Sequence, residues 1–382
     1  MVAGMAAGNR RIGVNFPVMS HDCCEQQHQT TNWEISVIRR IPFALVLVAA
    51  AMAIPASTAS AAGGDVTVMT RNIYLGADII GLATAPDLDA FKVNAEEMYG
   101  VVKATDFPAR AVGLAAEIKA NKPDLVGLQE AATWRSGPAG NPDDATKVDY
   151  DFTKLLLAAL KKQGQTYSIL VDQVEFDFEA PTVTQDVRLT MHDVILVRSG
   201  SKLKIGKTSK SRYKALVEIP TAAGLAKVYR GWTAAEASIG GRTFKFVNTH
   251  LEAYGDATRE SQAKELFAAG GPLSSKTKPA ILLGDLNSDP NAGDASADAY
   301  KVFTGAGMKD VFGTKRVQTF GMDEKLINPK PTSNVWIDHI FYSPSKNFTV
   351  RSKGIVGTKP FRKVAPLWAS DHMGVVAKLR VK

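Results

Sequence analysis

The chain has 382 residues, 45% of them hydrophobic and 22% charged, with a formal net charge of +8 and two cysteines. This ordinary globular balance supplies a large core and excludes the disordered and fibrous classes, and two thiols are too few for a disulfide-stapled scaffold. The mild positive charge permits an anionic partner without demanding one.

The N-terminal part reads differently from the rest. Arg39 and Arg40 precede an apolar run from Ile41 to Ile54, and small residues follow, including Ala59, Ser60 and Ala61. Basic, apolar and small-residue regions in that order predict a secretory signal peptide, and the run is short for a membrane span. A single-pass anchor is the alternative, but Pro42 and Pro55 bracket the run and no charge cluster follows it. Residues 1–36 do not resemble the start of such a leader, which suggests a true start near Val37. Residues 1–62 are therefore set apart as extension and leader, and 63–382 as one domain. Both cysteines, Cys23 and Cys24, fall in the leader part. The remaining domain is large enough to fold without staples.

The domain opens with a strand in which Val66, Val68 and Thr70 alternate, running into Arg71-Asn72 before Gly76. A helix is predicted from Phe107 to Lys119, with Thr105 or Asp106 as cap and Pro108 in its first turn. Asn121-Lys122-Pro123 stops it, and Asp124 to Glu130 reads as a buried strand ending in a carboxylate. Phe152 to Leu160 is a further helix, followed by strands near Tyr167–Phe176 and Asp193–Arg198. Glu175, Asp177 and Glu179 suggest an acidic edge. The basic run Lys202, Lys204, Lys207, Lys210, Arg212 and Lys214 suggests a solvated hairpin or else a surface for phosphates. Phe244 to Thr249 is a strand ending in His250, and a helix follows from about Ala257 to Ala269. Ala280 to Leu283 form a continuous apolar run, as in a strand covered on both faces. Gly284 is expected to break it ahead of Asp285, Asn287 and Asp289. A helix near Asp294–Phe303 and strands at Val335–Tyr342 and Val375–Val381 complete an α/β layered pattern.

Polar residues recur at the strand ends: Asn72, Glu130, His250, Asp285, Asn287, Asp338, Asp371 and His372. Each alone has a bland explanation, such as an Asx turn at Asp285 and Asn287 or a cap at Asp371. Together they form a constellation with catalytic chemistry. Oxygen ligands from Glu130, Asn72 and Asp371 suit Mg2+ or Mn2+, while the histidines and Asp285 suit proton transfer at an anionic substrate.

The ordered motifs NxY after the first strand, LQE at 128–130, NTHLE at 248–252, GDLN at 284–287, IDHIF at 337–341 and SDH at 370–372 resemble the endonuclease/exonuclease/phosphatase superfamily, pancreatic-type deoxyribonucleases included. The resemblance implies a four-layer α/β sandwich, two central mixed sheets flanked by helices, with the site at one rim. Carried over by position, Glu130 resembles the principal metal ligand, Asn72 its neighbour near metal and phosphate, and Asp371 a further metal-side carboxylate. Asp285 resembles the residue that activates water, and Asn287 the donor to phosphate oxygens. His372 resembles the histidine at the scissile phosphate, oriented by Asp338, and His250 the second histidine contacting the phosphate.

Several features depart from the pattern or bear on substrate. His339 stands where many members have Tyr and by alternation should face away from the rim. His192-Asp193 replaces a Gly-rich segment. Lys359, Arg362 and Lys363 with Trp368 lie just before SDH and could grip a polyanion, and no aromatic-tipped hairpin of a membrane-engaging sphingomyelinase is evident. The expectation is a secreted, monomeric, Mg2+-dependent phosphoesterase, with Mn2+ or Ca2+ as substitutes. Nucleic acid is the leading substrate. Phospholipid or inositol phosphate at a membrane surface is the alternative, and a catalytically silent binding module is the remote one.

Overall fold

The structure, a computed structural model, describes residues 62–140 and 144–382. The expected leader and both cysteines lie outside the described residues. In chain order the elements are β1 (Gly64–Asn72), α1 (Leu88–Ala104), α2 (Phe107–Asn121), β2 (Leu125–Gly137), β3 (Lys147–Asp151) and α3 (Phe152–Lys162). There follow β4 (Tyr167–Pro181), β5 (Asp186–Arg198), β6 (Lys204–Arg212), β7 (Val217–Thr221), β8 (Gly224–Val228), β9 (Gly231–Ile239) and β10 (Arg242–His250). The chain ends with α4 (Asp256–Glu265), β11 (Ala280–Asp285), α5 (Asp298–Gly305), β12 (Lys309–Asp310), β13 (Asp338–Ser343), β14 (Phe348–Val356) and β15 (Gly374–Val381). Among the described residues no helix is long and apolar enough to cross a membrane.

Two mixed sheets form the centre. The first runs β14-β15-β1-β2-β5-β4, with β3 paired to β2, and the second runs β12-β13-β11-β10-β9-β6. Each has one parallel pair at its heart, β1 with β2 and β10 with β11. Alternation decides the layers. Val66, Val68 and Ile195 of the first sheet meet Phe246, Ile281 and Leu283 of the second in a core between the sheets. The opposite face of the second sheet, with Val247 and Leu282, packs on α4 and α5 through Leu266 and Phe303. The outer face of the first sheet packs on α1, α2 and α3. This is the four-layer α/β sandwich expected, and the all-apolar β11 run is covered on both sides as its sequence requires.

Several local readings are confirmed and others corrected. Asp106 does cap α2, accepting from Ala109 N, with Pro108 in the first turn. Gly284 does not end β11. It lies within the strand opposite Thr249, where a Cβ would sit 1.8 Å from the Thr249 carbonyl oxygen, so the glycine permits close strand approach instead of a break. β2 does not end at Glu130 but continues to Gly137 past a register shift between Leu128 and Ala131. Glu130 sits in that bulge at φ +57, a conformation costly for a non-glycine residue and typical of functional positions. The basic run is the exposed edge strand β6, where lysines discourage edge-to-edge pairing. Glu175 is not on an acidic edge but fully buried, whereas Asp177 and Glu179 pair with Arg188. His192 and Asp193 lie inside β5, not in a loop.

Candidate active site

The rim is assembled from strand ends. Asn72 closes β1, His250 closes β10, and Asp285 closes β11 directly opposite Asp338, the first residue of β13. The parallel pairing of β10 and β11 sets His250 beside Asp285 in register. Asn287 follows at φ +48, its backbone N–H donating to Asp285 Oδ1 at 2.9 Å. His372 lies just ahead of β15, and Asp371 lines the same cleft.

The structure therefore brings all eight expected residues to one rim, with contacts that define what each side chain presents. Asn72 Nδ2 donates both to Glu130 Oε1 at 2.8 Å and to Asp285 Oδ2 at 3.0 Å, while its Oδ1 accepts from Tyr74 N. As placed, Asn72 bridges the two carboxylates as a donor and does not offer an oxygen ligand. Glu130 Oε2 accepts from Leu75 N at 2.8 Å. Donor atoms of Glu130, Asp285 and His372 lie within 4.8 Å of one another, a grouping able to hold a metal ion. Sequence reasoning had instead grouped Glu130 with Asn72 and Asp371.

The two histidines are differentiated by their partners. Asp338 Oδ2 lies 2.8 Å from His372 Nδ1, and Asp285 Oδ2 lies 3.6 Å from its Nε2. Burial alone would depress the His372 pKa, but Asp338, Asp285 and Asp371 outweigh it and hold it well above the usual histidine range. These carboxylates favour the protonated form of His372. His250 is the reverse: burial first, then Arg230 and His372, push its pKa well below the ordinary value. Arg230 meets His250 Nδ1 at 2.9 Å, and His250 Nε2 lies 3.2 Å from Asn287 Nδ2 and 3.5 Å from Asp285 Oδ2. Burial pushes Asp285 up to about 6, with His372 opposing and Asp338 reinforcing. Desolvation lifts Asp371 to about 7, opposed by His372 and aided by Glu130.

Buried residues that the sequence did not single out hold this geometry. Arg71 donates to Asn72 O at 3.1 Å and to His372 O at 2.6 Å, and pairs with Glu117, joining segments 301 residues apart. Arg110 donates to Ile73 O, Tyr74 O and Ala369 O. Thr319 Oγ1 accepts from Ile337 N and Asp338 N, both at 3.0 Å, fixing the start of β13. None of these has a local signal, because each joins segments far apart in sequence. His339 faces away from the rim as expected, with Nδ1 2.8 Å from Asp310 Oδ2 and the ring wholly buried. Trp368 is buried and bonded to Asn328 O, and Arg362 is bonded to Pro366 O, so the aromatic and this arginine of the segment before SDH are internal fastenings, not a free polyanion grip.

Behind His250, Glu175 is buried with neither carboxylate oxygen hydrogen-bonded, and burial, against Arg230, pushes it up to about 8. An acid raised in the fold costs nothing below its unfolded pKa near 4.5 and loses stability as pH rises from there to about 8. Glu175→Gln is expected to raise Tm clearly at pH 8, by the equivalent of a few kcal/mol, and hardly at all at pH 5. Thermal denaturation at both pH values checks this, and an equal shift at both would contradict it.

The model of the family described as Endonuclease/Exonuclease/phosphatase family matches residues 93–372. Among curated proteins none matches the chain. Similar solved structures include an endonuclease/exonuclease/phosphatase family protein from Bacteroides thetaiotaomicron, 18% identical with a TM-score of 0.54, covering 84% of this chain and 99% of that one. A mannosyl-6-phosphatase of Bacteroides thetaiotaomicron is 20% identical with a TM-score of 0.51, covering 82% and 99% respectively. An endonuclease/exonuclease/phosphatase from Bacteroides vulgatus is 20% identical with a TM-score of 0.51, covering 84% and 100%. At these identities the likeness is one of fold.

Proposed function

The chain belongs to the endonuclease/exonuclease/phosphatase family, whose members are phosphoester hydrolases, and from this membership we propose that the rim hydrolyses phosphoesters with a divalent cation at Glu130. The observation that carries the reading is the convergence of the Glu130 and Asp285 carboxylates, bridged by Asn72, beside His372. Carboxylate oxygens of this kind fit a hard cation such as Mg2+, with Mn2+ or Ca2+ able to substitute. Asp371 adds a second carboxylate on the same cleft, and its repulsion from Glu130 is what a cation would relieve. Bound there, the cation supplies charge neutralisation at the nonbridging phosphate oxygens.

The chain's own groups do the rest. Asp285 takes a proton from the attacking water, its carboxylate aimed by Asn72 and by the Asn287 N–H. His372, held cationic by Asp338, donates to the phosphate as negative charge builds on it. His250 and Asn287, in contact through Nε2 and Nδ2 at 3.2 Å, meet the remaining oxygens. Attack in line breaks the bond from phosphorus to the ester oxygen, which takes a proton from solvent water and leaves as the alcohol, and Asp285 returns its proton to solvent.

The leader expected in residues 41–54 makes this a secreted enzyme in our reading, acting as a monomer. Nucleic acid is the substrate class favoured by the motifs, since the rim asks only for a phosphodiester. A specific observation favours phospholipid as the second reading: much of the cleft beyond the rim is apolar. Glu130→Gln is expected to raise the Mg2+ concentration for half-maximal activity by at least about tenfold, or to abolish activity. An unchanged metal titration would remove Glu130 from the metal site.

A further inference from the structure

Asp338 and His339 are chain neighbours that serve opposite sides of the second sheet. Asp338 meets His372 at the rim, whereas His339 points away from it, into the layer under α5. That layer is aromatic: the His339 ring lies 4.9 Å from Trp336, 5.1 Å from Tyr300 and 5.7 Å from Phe341, centroid to centroid. A phenylalanine would fill such a place without the desolvation that a buried imidazole and its carboxylate cost. A polar pair that packing does not require marks a position specified by its hydrogen bonds.

Those bonds run to both chain segments that leave the rim. His339 Nε2 lies 3.1 Å from Ser288 O and 3.2 Å from Trp336 O. Carbonyl oxygens only accept, so Nε2 carries a proton and shares it between them. Nδ1 faces Asp310 Oδ2 at 2.8 Å, and Asp310 is itself fixed through its other oxygen by Phe312 N at 2.7 Å. The ring is therefore aimed from β12 and grips two backbones. Ser288 directly follows Asn287, which meets Asp285 Oδ1 through its N–H and His250 through its amide. Trp336 lies two residues before Asp338. Strand pairing sets Asp285 opposite Asp338, but Asn287 lies past the last pair of the ladder, at φ +48. Trp336 N also donates to Asp289 Oδ2 at 3.2 Å, so loss of the His339 bonds would loosen the two segments without parting them.

We propose, on the phosphoesterase reading above, that His339 is a positioning residue: aimed by Asp310, its Nε2–H holds the backbone carrying Asn287 at a fixed distance from the backbone carrying Asp338. It touches no substrate. It acts through Asn287, which meets the phosphate, and through Asp338, which orients His372. Two carboxylate–histidine pairs stand back to back across the sheet, Asp338 with His372 for the phosphate and Asp310 with His339 for the frame.

Two amides separate the bonds of the ring, because a glutamine amide reaches the place of Nε2 and an asparagine amide that of Nδ1. His339→Gln keeps the donation to the carbonyls and leaves Asp310 Oδ2 unpaired, whereas His339→Asn keeps Asp310 paired and drops the carbonyls. With bis(4-nitrophenyl) phosphate and Mg2+, His339→Asn is expected to lower kcat by about tenfold or more with KM within about threefold, since a displacement of about 1 Å in a site costs up to about 10²-fold. His339→Gln is expected to stay within about threefold of wild type in kcat although its Tm falls further, because it orphans a buried carboxylate oxygen. The low-field Nδ1–H resonance of His372 reads the same displacement without turnover: it should move in His339→Asn and hold in His339→Gln. Equal kcat in the two variants, kcat losses that follow Tm, or an unmoved His372 resonance in His339→Asn overturns the proposal. Absence of turnover in the wild type contradicts hydrolysis and leaves the resonance to decide the role of His339. If either variant does not fold, exchange of the His339 Nε2 proton in the wild-type protein decides. Slowing by about threefold or more on addition of Mg2+ and inorganic phosphate supports the proposal, and an unchanged rate overturns it.

Discussion

Asp285→Asn is expected to lower kcat by about a thousandfold or more, with little change in folding. The amide keeps the size of the side chain and can still meet Asn287 N, but it cannot take a proton, and general-base removal costs on the order of 10²–10⁴ in rate. The effect should be specific, because among the described residues Asp285 is the one carboxylate lying within 4 Å of both histidines, at 3.5 Å from His250 and 3.6 Å from His372. Its environment also gives the wild-type pH dependence a sign. Burial raises the carboxyl to about 6, and the base must be ionised, so activity should climb as pH rises through about 6. A bound cation favours the carboxylate and moves that limb lower. Retention of more than a tenth of wild-type kcat by the variant would remove Asp285 from the chemistry.

His372→Ala and Asp338→Asn should behave as one lesion. Asp338 is wholly buried, and its Oδ2 meets His372 Nδ1, so on this geometry it acts on a substrate only through the histidine. Each single change is expected to cost roughly 10²–10³ in kcat, and the double variant only a few-fold more than the worse single, as residues that act as a unit do. Asp338→Asn should also lower the His372 pKa measured by NMR, because the carboxylate is the first of the groups that raise it. Multiplicative losses in kcat, or an unmoved His372 pKa, would separate the two residues.

Much of this site was legible because the chemistry sits where strands end. A strand period brings Asn72, His250 and Asp285 to the rim without any knowledge of the sheet order, and alternation correctly turned His339 away from it. Local signals misled where a residue's role is set by a distant segment. Gly284 looks like a strand breaker, but its reason is the Thr249 carbonyl across the parallel pair. Glu130 looks like a strand end, but it is a bulge, and a bulge depends on what β5 does opposite β2. Glu175 follows the alternation of an acidic edge yet is buried under the β9 turn, where a Cβ on Gly231 would lie 2.9 Å from its Oε1. Arg71, Arg110 and Thr319 were invisible because their partners are backbone carbonyls and N–H groups up to 301 residues away.

The central claim, that this rim is a metal-dependent phosphoesterase, is tested most directly by release of 4-nitrophenol from bis(4-nitrophenyl) phosphate. The purified protein would be assayed with Mg2+, with EDTA and as Asp285→Asn. The account predicts turnover that EDTA abolishes and Mg2+ restores, with the variant near background. Turnover that persists in EDTA or in the variant, or its absence from well-folded protein with Mg2+, Mn2+ and Ca2+ alike, would contradict it.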